Sequence, residues 1–296
     1  VLGTLACCAA GATMIFPSEG FEPDKTMYAL KKESCTAIHG VPTMFSAMLA
    51  SSEFDGKPIK SLRTGIMAGS QCPEVLMRRV LYDLGCSEIT IAYGMTETSP
   101  ISFQSDVNDP VDVRVSTVGR IQPHCEVKIV EDDGSTCAVG QTGELWTKGY
   151  LVMKGYWNDA EATQSSIENG WMKTGDLATI DNEGFCRIVG RKKDMVIRGG
   201  ENIYPAELEE FLTDQKGILE AHVFGIPDEK FGEQLVAWII AEEGITLDET
   251  TIQNLCKNAL AYYKVPAIVR FVKEVPLTAT GKPQKFKMRE IMLNET

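Results

Sequence analysis

Between residues 11 and 94, apolar runs of strand length alternate with stretches of helical period, and this alternation restricts the fold more than any other feature of the chain. GATMIF, TAIHG, LRTGIMAG and EITIAYG read as strands, with helices predicted near Asp24 to Lys32, Thr43 to Ala50 and Glu74 to Leu84. Alternating units of this kind build a parallel or mixed sheet covered by helices, so the predicted class is α/β. The turns after two of these strands carry Gly69-Ser70 and Gly94-Met95-Thr96, small and hydroxyl residues at the strand ends where such sheets expose ligands. The first sixteen residues, VLGTLACCAAGATMIF, carry no charge. They lack a basic leader and fall short of the roughly 20 residues a membrane span needs, so a buried helix running through Gly11 into a strand at Ala12 to Phe16 is expected. No transmembrane segment is predicted, and with no initiator Met the chain is expected to begin inside a fold.

Beyond Pro110 the texture changes to short β-rich segments separated by glycine turns: STVGRI, EVKIV, TGELWTKG and TGDLATIDNEGFCRIVG. Close turns between such segments predict a small curled sheet or barrel. A third region combines helices near 205–214, 248–260 and 284–293 with strands near 219–225, 234–241 and 268–272, an α+β pattern. The expected division is 1–110, a βα-layered part; 111–192, a β-rich part; and 193–296, a small C-terminal domain. With 296 residues and 44% hydrophobic content the chain has material for substantial cores. A net charge of −12 argues against broad nucleic-acid binding. Nine cysteines without a CxxC pair fit reduced, mostly buried thiols, and three scattered histidines argue against structural zinc.

Several segments have residue types suited to chemistry. In Tyr93-Gly94-Met95-Thr96-Glu97 the ring can stack on a base, the hydroxyl can contact phosphate and the carboxylate can hold Mg²⁺; an ordinary turn with an edge aromatic explains the same letters. Gly69, Ser70 and Gln71 form a small corner that either admits a flat ring or packs tightly. Asp176, in Thr174-Gly175-Asp176, is suited to a vicinal diol, or else it caps a β-turn. The run GRKKDMVIRGGENIYPAELEE at 190–210 places a basic turn and the permissive pair Gly199-Gly200 before a helix started by Pro205. PLTATGK at 276–282 presents Lys282 on a loop, to neutralise charge growing on a phosphate or to end in a solvated basic tail.

In order and spacing these pieces resemble the adenylate-forming superfamily of acyl-CoA synthetases, non-ribosomal peptide adenylation domains and beetle luciferases. The landmarks are HGVPT at 39–43, the corner at 69–71, YGMTE at 93–97, GELWTKG at 143–149, TGD at 174–176, GRKKD at 190–194, GGENIYPAELE at 199–209 and PLTATGK at 276–282. The resemblance covers essentially the whole chain. VMKGYW at 152–157 and IRGGENIYPAELE at 197–209 are most similar to medium-chain fatty acyl-CoA synthetases of the animal member 2 type.

The resemblance implies the remainder of a large AMP-binding domain followed by a mobile C-terminal domain. It implies that Tyr93 faces adenine with Gly69, Ser70 and Gln71 as another wall, Gly94 belongs to the cofactor-binding set, Thr96 contacts the AMP phosphate and Glu97 binds Mg²⁺. Asp176 and Arg191 would serve the ribose, Lys193 the hinge and Lys282 adenylation. Gly199 and Gly200 would flank the pantetheine passage. His39 would stand at the acyl pocket, with a satisfied core histidine as the alternative. The implied reaction joins a carboxylate, such as a fatty acid, to coenzyme A at the expense of ATP, releasing AMP and pyrophosphate. Another adenylating ligase, an oxidative adenylating enzyme and a non-catalytic interaction fragment are the alternatives. The Ser/Thr/Gly-rich phosphate loop that the family carries upstream is not found in the sequence, so an N-terminal portion is expected to be absent. The resemblance implies the mitochondrial matrix, with cytoplasm as the alternative.

Overall fold

The computed structural model describes residues 2–70, 72–242, 244–278 and 283–295. The chain divides into two compact units, Val1–Thr174 with Ala178–Ile188, and Gly175–Leu177 with Val189–Thr296.

The first unit begins with helix α1 (Leu2–Ala10), α2 (Pro23–Lys32), strand β1 (Ala37–Gly40), α3 (Pro42–Leu49), β2 (Thr64–Ala68), α4 (Glu74–Tyr82) and β3 (Glu88–Tyr93). Then come β4 (Phe103–Gln104), α5 (Val111–Ser116) and β5 (Arg120–Ile121). Proline opens both α2 and α3, where a missing N–H costs nothing. The sheet order is β1-β2-β3-β4-β5, parallel through β3 and antiparallel beyond. Met27, Phe45, Met48, Met67, Met77, Leu84 and Ile89 form the fully buried centre between this sheet and its helices. Two expectations change at the amino end. α1 forms, but most of its residues face solvent, and residues 12–16 are not a strand. A strand needs another strand to pair with, and among the described residues this segment joins no sheet.

A second sheet contains β6 (Cys125–Val130), β7 (Gly143–Gly149), β8 (Ile167–Glu168), β9 (Trp171–Ile180) and β10 (Cys186–Arg191), with α6 (Ala160–Ser166) before β8. Its order is β10-β9-β7-β6, with β8 on β9; two edges remain, so the β-rich region is an open sheet and not a closed barrel. Phe103 from the first sheet packs with Ile129, Leu145, Ala178 and Cys186 from the second, which fixes the two sheets against each other within this unit.

The second unit contains β11 (Val196–Arg198), β12 (Glu201–Ile203), α7 (Pro205–Thr213), β13 (Ile218–Asp228), β14 (Gly232–Ala241), α8 (Glu249–Ala259), β15 (Ile268–Phe271) and α9 (Lys285–Glu295). The order is β12-β11-β14-β13, with β15 parallel on β14. The unbroken apolar run of β14 has a direct cause: Leu235, Ala237 and Ile239 pack with α7 and α8, while Val236 and Trp238 pack with α9. Each helix meets the sheet through an i, i+4 pair, Leu208 with Leu212, Ile252 with Cys256 and Met288 with Met292. Glu209 joins three elements, accepting from the Val223 N–H at 2.7 Å and pairing with Lys285 at 2.7 Å.

All nine cysteines are free thiols, with Cys72, Cys86, Cys186 and Cys256 buried and Cys8 exposed. Burial pushes Cys72, Cys86 and Cys186 up to about 12 and Cys256 up to about 11. Their contribution to stability is complete below the ordinary thiol value of 9.0 and is lost as pH rises through the folded values, because the unfolded chain alone releases these protons first. Denaturant midpoints should therefore fall on going from neutral to strongly alkaline pH, and a thiol reagent at mildly alkaline pH should label Cys8 at once and the four buried thiols only on unfolding. On α9, Met288→Ala should cost about 2–5 kcal/mol. The exposed Phe286→Ala should cost about 0.5 kcal/mol or less, and equal losses in denaturant titrations would contradict the assigned face.

Candidate functional site

Because β1, β2 and β3 run parallel, the loops that follow them emerge at one edge of the sheet. Ala68 stands opposite Ala92, so Gly69 and Tyr93 leave their strands at the same level. Gly69 turns the chain with φ +100°, and Ser70 is exposed after it. Gln71 lies outside the described residues. His39 sits one residue from the end of β1, opposite Ile66, and its side chain is exposed, which removes the core-histidine alternative.

The loop after β3 is built from its own buried hydroxyls. Tyr93 is half-buried, its ring 6.2 Å from that of Phe103 and tilted by 60°. A single 3₁₀ turn follows at Thr96–Thr98, and Ser99 leaves it in the left-handed region at φ +57°. Thr98 is fully buried; its Oγ1 accepts from the Met95 N–H at 3.2 Å and from Ser102 Oγ at 3.1 Å. The Ser102 N–H donates to the Tyr93 carbonyl at 2.9 Å and closes the loop. Gly94 is required by this closure, because a Cβ there would stand 1.7 Å from the Pro100 carbonyl oxygen. Thr96 is left exposed and Glu97 half-buried. Thr98 and Ser102 were not singled out in the sequence; their signal was two hydroxyl residues, one at each end of a Ser-Pro turn, without an apolar period.

Glu97 is gripped twice from residues 153–156. Its carbonyl accepts from the Met153 N–H at 2.8 Å, and its Oε1 accepts from the Tyr156 hydroxyl at 2.9 Å. Burial first, then the hydrogen bond to Glu97, raises the Tyr156 phenol above its ordinary value, so it stays a donor across the neutral range. Among the described residues no group of three or more His, Cys, Asp or Glu is placed to hold a metal ion.

The remaining candidates belong to the second unit. Asp176 lies inside β9 and is 8% exposed, which rules out its reading as a β-turn cap. Arg191 Nε donates to Asp176 Oδ1 at 3.2 Å, so these two sequence-selected residues meet, with the guanidinium half exposed. Lys193 is exposed in the 3₁₀ turn at Lys192–Asp194. Gly199 and Gly200, with φ of +60° and +90°, form the two-residue turn of the β11–β12 hairpin. Lys282 lies outside the described residues. A cavity of about 430 Å³ in this unit is bounded by Arg198, Lys257, Tyr262 and Pro266, and none of the residues given a site role above lines it. Arg198 there donates to the Tyr263 and Val265 carbonyls at 2.8 and 3.1 Å, a structural use that ties the Tyr263–Pro266 turn to β11.

With this geometry in hand, comparison with known proteins identifies the class. The profile of the AMP-binding enzyme matches residues 1–157, and that of the AMP-binding enzyme C-terminal domain matches residues 207–282. The chain belongs to the AMP-binding enzyme family. It is 50% identical over 294 residues to a putative acyl-CoA synthetase, YngI, of Bacillus subtilis, covering 98% of this chain and 53% of that protein. It is 45% identical over 282 residues to the mitochondrial medium-chain acyl-CoA ligase ACSF2 of Danio rerio, covering 95% of this chain and 46% of the relative. The chain thus spans about half the length of the curated relatives it matches. Among solved structures, ATP-bound MatB from Rhodopseudomonas palustris superposes with a TM-score of 0.90 at 31% identity, covering 98% of this chain and 57% of that one.

Thr98→Val should leave the Met95 N–H and the Ser102 hydroxyl without their buried acceptor and cost about 1–3 kcal/mol. Hydrogen exchange should localise the loss to residues 93–102. Unchanged protection there would refute the closure described.

Proposed function

We propose that this chain carries nucleotide- and thioester-handling parts of a carboxylate–CoA ligase that acts through an acyl-adenylate. One carboxylate oxygen attacks the α-phosphorus of ATP and pyrophosphate leaves; the thiol of coenzyme A then attacks the acyl carbon and AMP leaves. The chain's contribution is orientation and charge stabilisation. Tyr93, Gly94, Gly69, Ser70 and Gln71 take adenine, Thr96 donates to the AMP phosphate, and Asp176 and Arg191 take the ribose. Lys282 neutralises charge during adenylation, Lys193 is the hinge, Gly199 and Gly200 flank the thiol path, and His39 faces the acyl group. A division at 1–110, 111–192 and 193–296 accompanies these roles.

The observation that carries this reading is the shared level at which Gly69 and Tyr93 leave parallel strands, with the Thr96 hydroxyl exposed in the loop that follows. Mg²⁺ fits the donor set. The chain offers one hard carboxylate, Glu97, and a Mg²⁺ ion is commonly held by one or two carboxylates while phosphate and water oxygens complete the shell. When bound, the ion supplies charge neutralisation at the phosphates. A medium-chain fatty acid as substrate is supported by the name of the zebrafish relative. The same name supports a mitochondrial location, a support the more similar bacterial relative does not add to.

The test is carboxylate-dependent ATP–pyrophosphate exchange in the intact protein, followed by product analysis with fatty acids of graded length and coenzyme A. Lys282→Ala should reduce exchange on the order of 100-fold or more while keeping most of the thioester step from supplied acyl-AMP. Equal loss of both steps would remove Lys282 from its role. Absence of an acyl-CoA product with every fatty acid would remove the ligase reading.

A further inference from the structure

The segment VMKGYW at 152–157 is left unused by the roles above, although it lies against Glu97. Tyr156 is 37% exposed, so its ring is not part of either sheet's core, yet its hydroxyl reaches a single carboxylate 59 positions earlier in the chain. The segment is held for that contact. Gly155 takes φ +152°, and a Cβ there would stand 2.8 Å from Thr163 Cγ2, so the backbone passes directly over Thr163. Thr163 Oγ1 accepts from the Tyr156 N–H at 2.9 Å and donates to the Asp159 carbonyl at 2.7 Å. Asp159 in turn caps α6, its Oδ1 accepting from the Ala162 N–H at 2.8 Å. Tyr156 is thereby fixed at its backbone by a capped helix and at its hydroxyl by Glu97. Glu97 is fixed at its carbonyl by Met153 and at Oε1 by Tyr156, and among the described residues its Oε2 takes no hydrogen bond.

We infer that Tyr156 is a positioning residue for Mg²⁺: by holding Oε1 of Glu97 it presents Oε2 as the single carboxylate oxygen to the cation. An unrestrained glutamate must lose rotamer freedom when it binds a metal, and an outer hydrogen bond that orients a ligand removes that loss in advance. The inference rests on the proposed role of Glu97 as the Mg²⁺ ligand. It adds that α6 and the 153–156 segment exist in this arrangement to aim that ligand.

Calorimetry on the full chain separates the two ideas. The quantity is the gain in ATP affinity on replacing EDTA with saturating Mg²⁺, measured for the native chain, Tyr156→Phe, Thr163→Val and Glu97→Gln, with melting temperatures recorded alongside. Tyr156→Phe keeps the ring and should lower the gain roughly tenfold, with affinity in EDTA and the melting temperature little changed. Thr163→Val should act in the same direction and more weakly, and Glu97→Gln should abolish the gain. Loss in Glu97→Gln with a native gain in Tyr156→Phe would overturn the role of Tyr156 and leave that of Glu97 standing. No gain in the native chain, or a native gain in Glu97→Gln, would overturn both.

Discussion

Parallel pairing of three short strands is the constraint on which the candidate site depends. β1, β2 and β3 are in register from Thr64 opposite Glu88 to Ala68 opposite Ala92, so the turns beyond them open together at one edge. The strands are four to six residues long. Helices α2, α3 and α4 hold them through a core rich in methionine and leucine, which supports the pairing without being part of the site. Moving the register by one residue would turn Met67 and Ile89 out of that core, and burial therefore fixes the level of Gly69 and Tyr93.

Given that edge, the loop at 93–102 takes its shape from closure by its own backbone and two buried hydroxyls. Thr98 and Ser102 sit inside, Thr96 outside, and Gly94 allows the Pro100 carbonyl to approach. The same division of labour recurs at Glu97, whose carbonyl and carboxylate are both held by the 153–156 segment. In the second unit, Asp176 is nearly buried and paired with Arg191, a charge kept inside because its partner is supplied 15 residues later by the next strand, β10.

Much of the fold was legible in the residues themselves. The βα alternation before residue 94, Pro205 at the start of α7 and the two-faced run of β14 all follow from period and from what proline and burial demand. The amino end was misread because an apolar, uncharged run says that a segment can be buried, not that enough of the fold is there to bury it; most of α1 faces solvent, and residues 12–16 join no sheet among the described residues. At the site, Tyr93, Thr96, Glu97 and Arg191 at strand ends, and Asp176 inside β9, were readable as chemistry-bearing types. Thr98 and Ser102 were not, because their hydrogen bonds close their own loop and leave no apolar period, and Tyr156 was not, because its partner lies 59 positions away. Gly94 was read only as a cofactor-binding residue, and its lack of a side chain is a requirement of the turn.

In the proposed function, the edge formed by the turns after β2 and β3 receives AMP. A crystal structure of the chain with AMP tests it most directly. The adenine ring should lie against Tyr93 and beside Gly69-Ser70, with the phosphate within hydrogen-bond distance of the Thr96 hydroxyl. AMP seated elsewhere, for instance in the cavity bounded by Arg198 and Tyr262, with Tyr93 and Thr96 untouched, would contradict it.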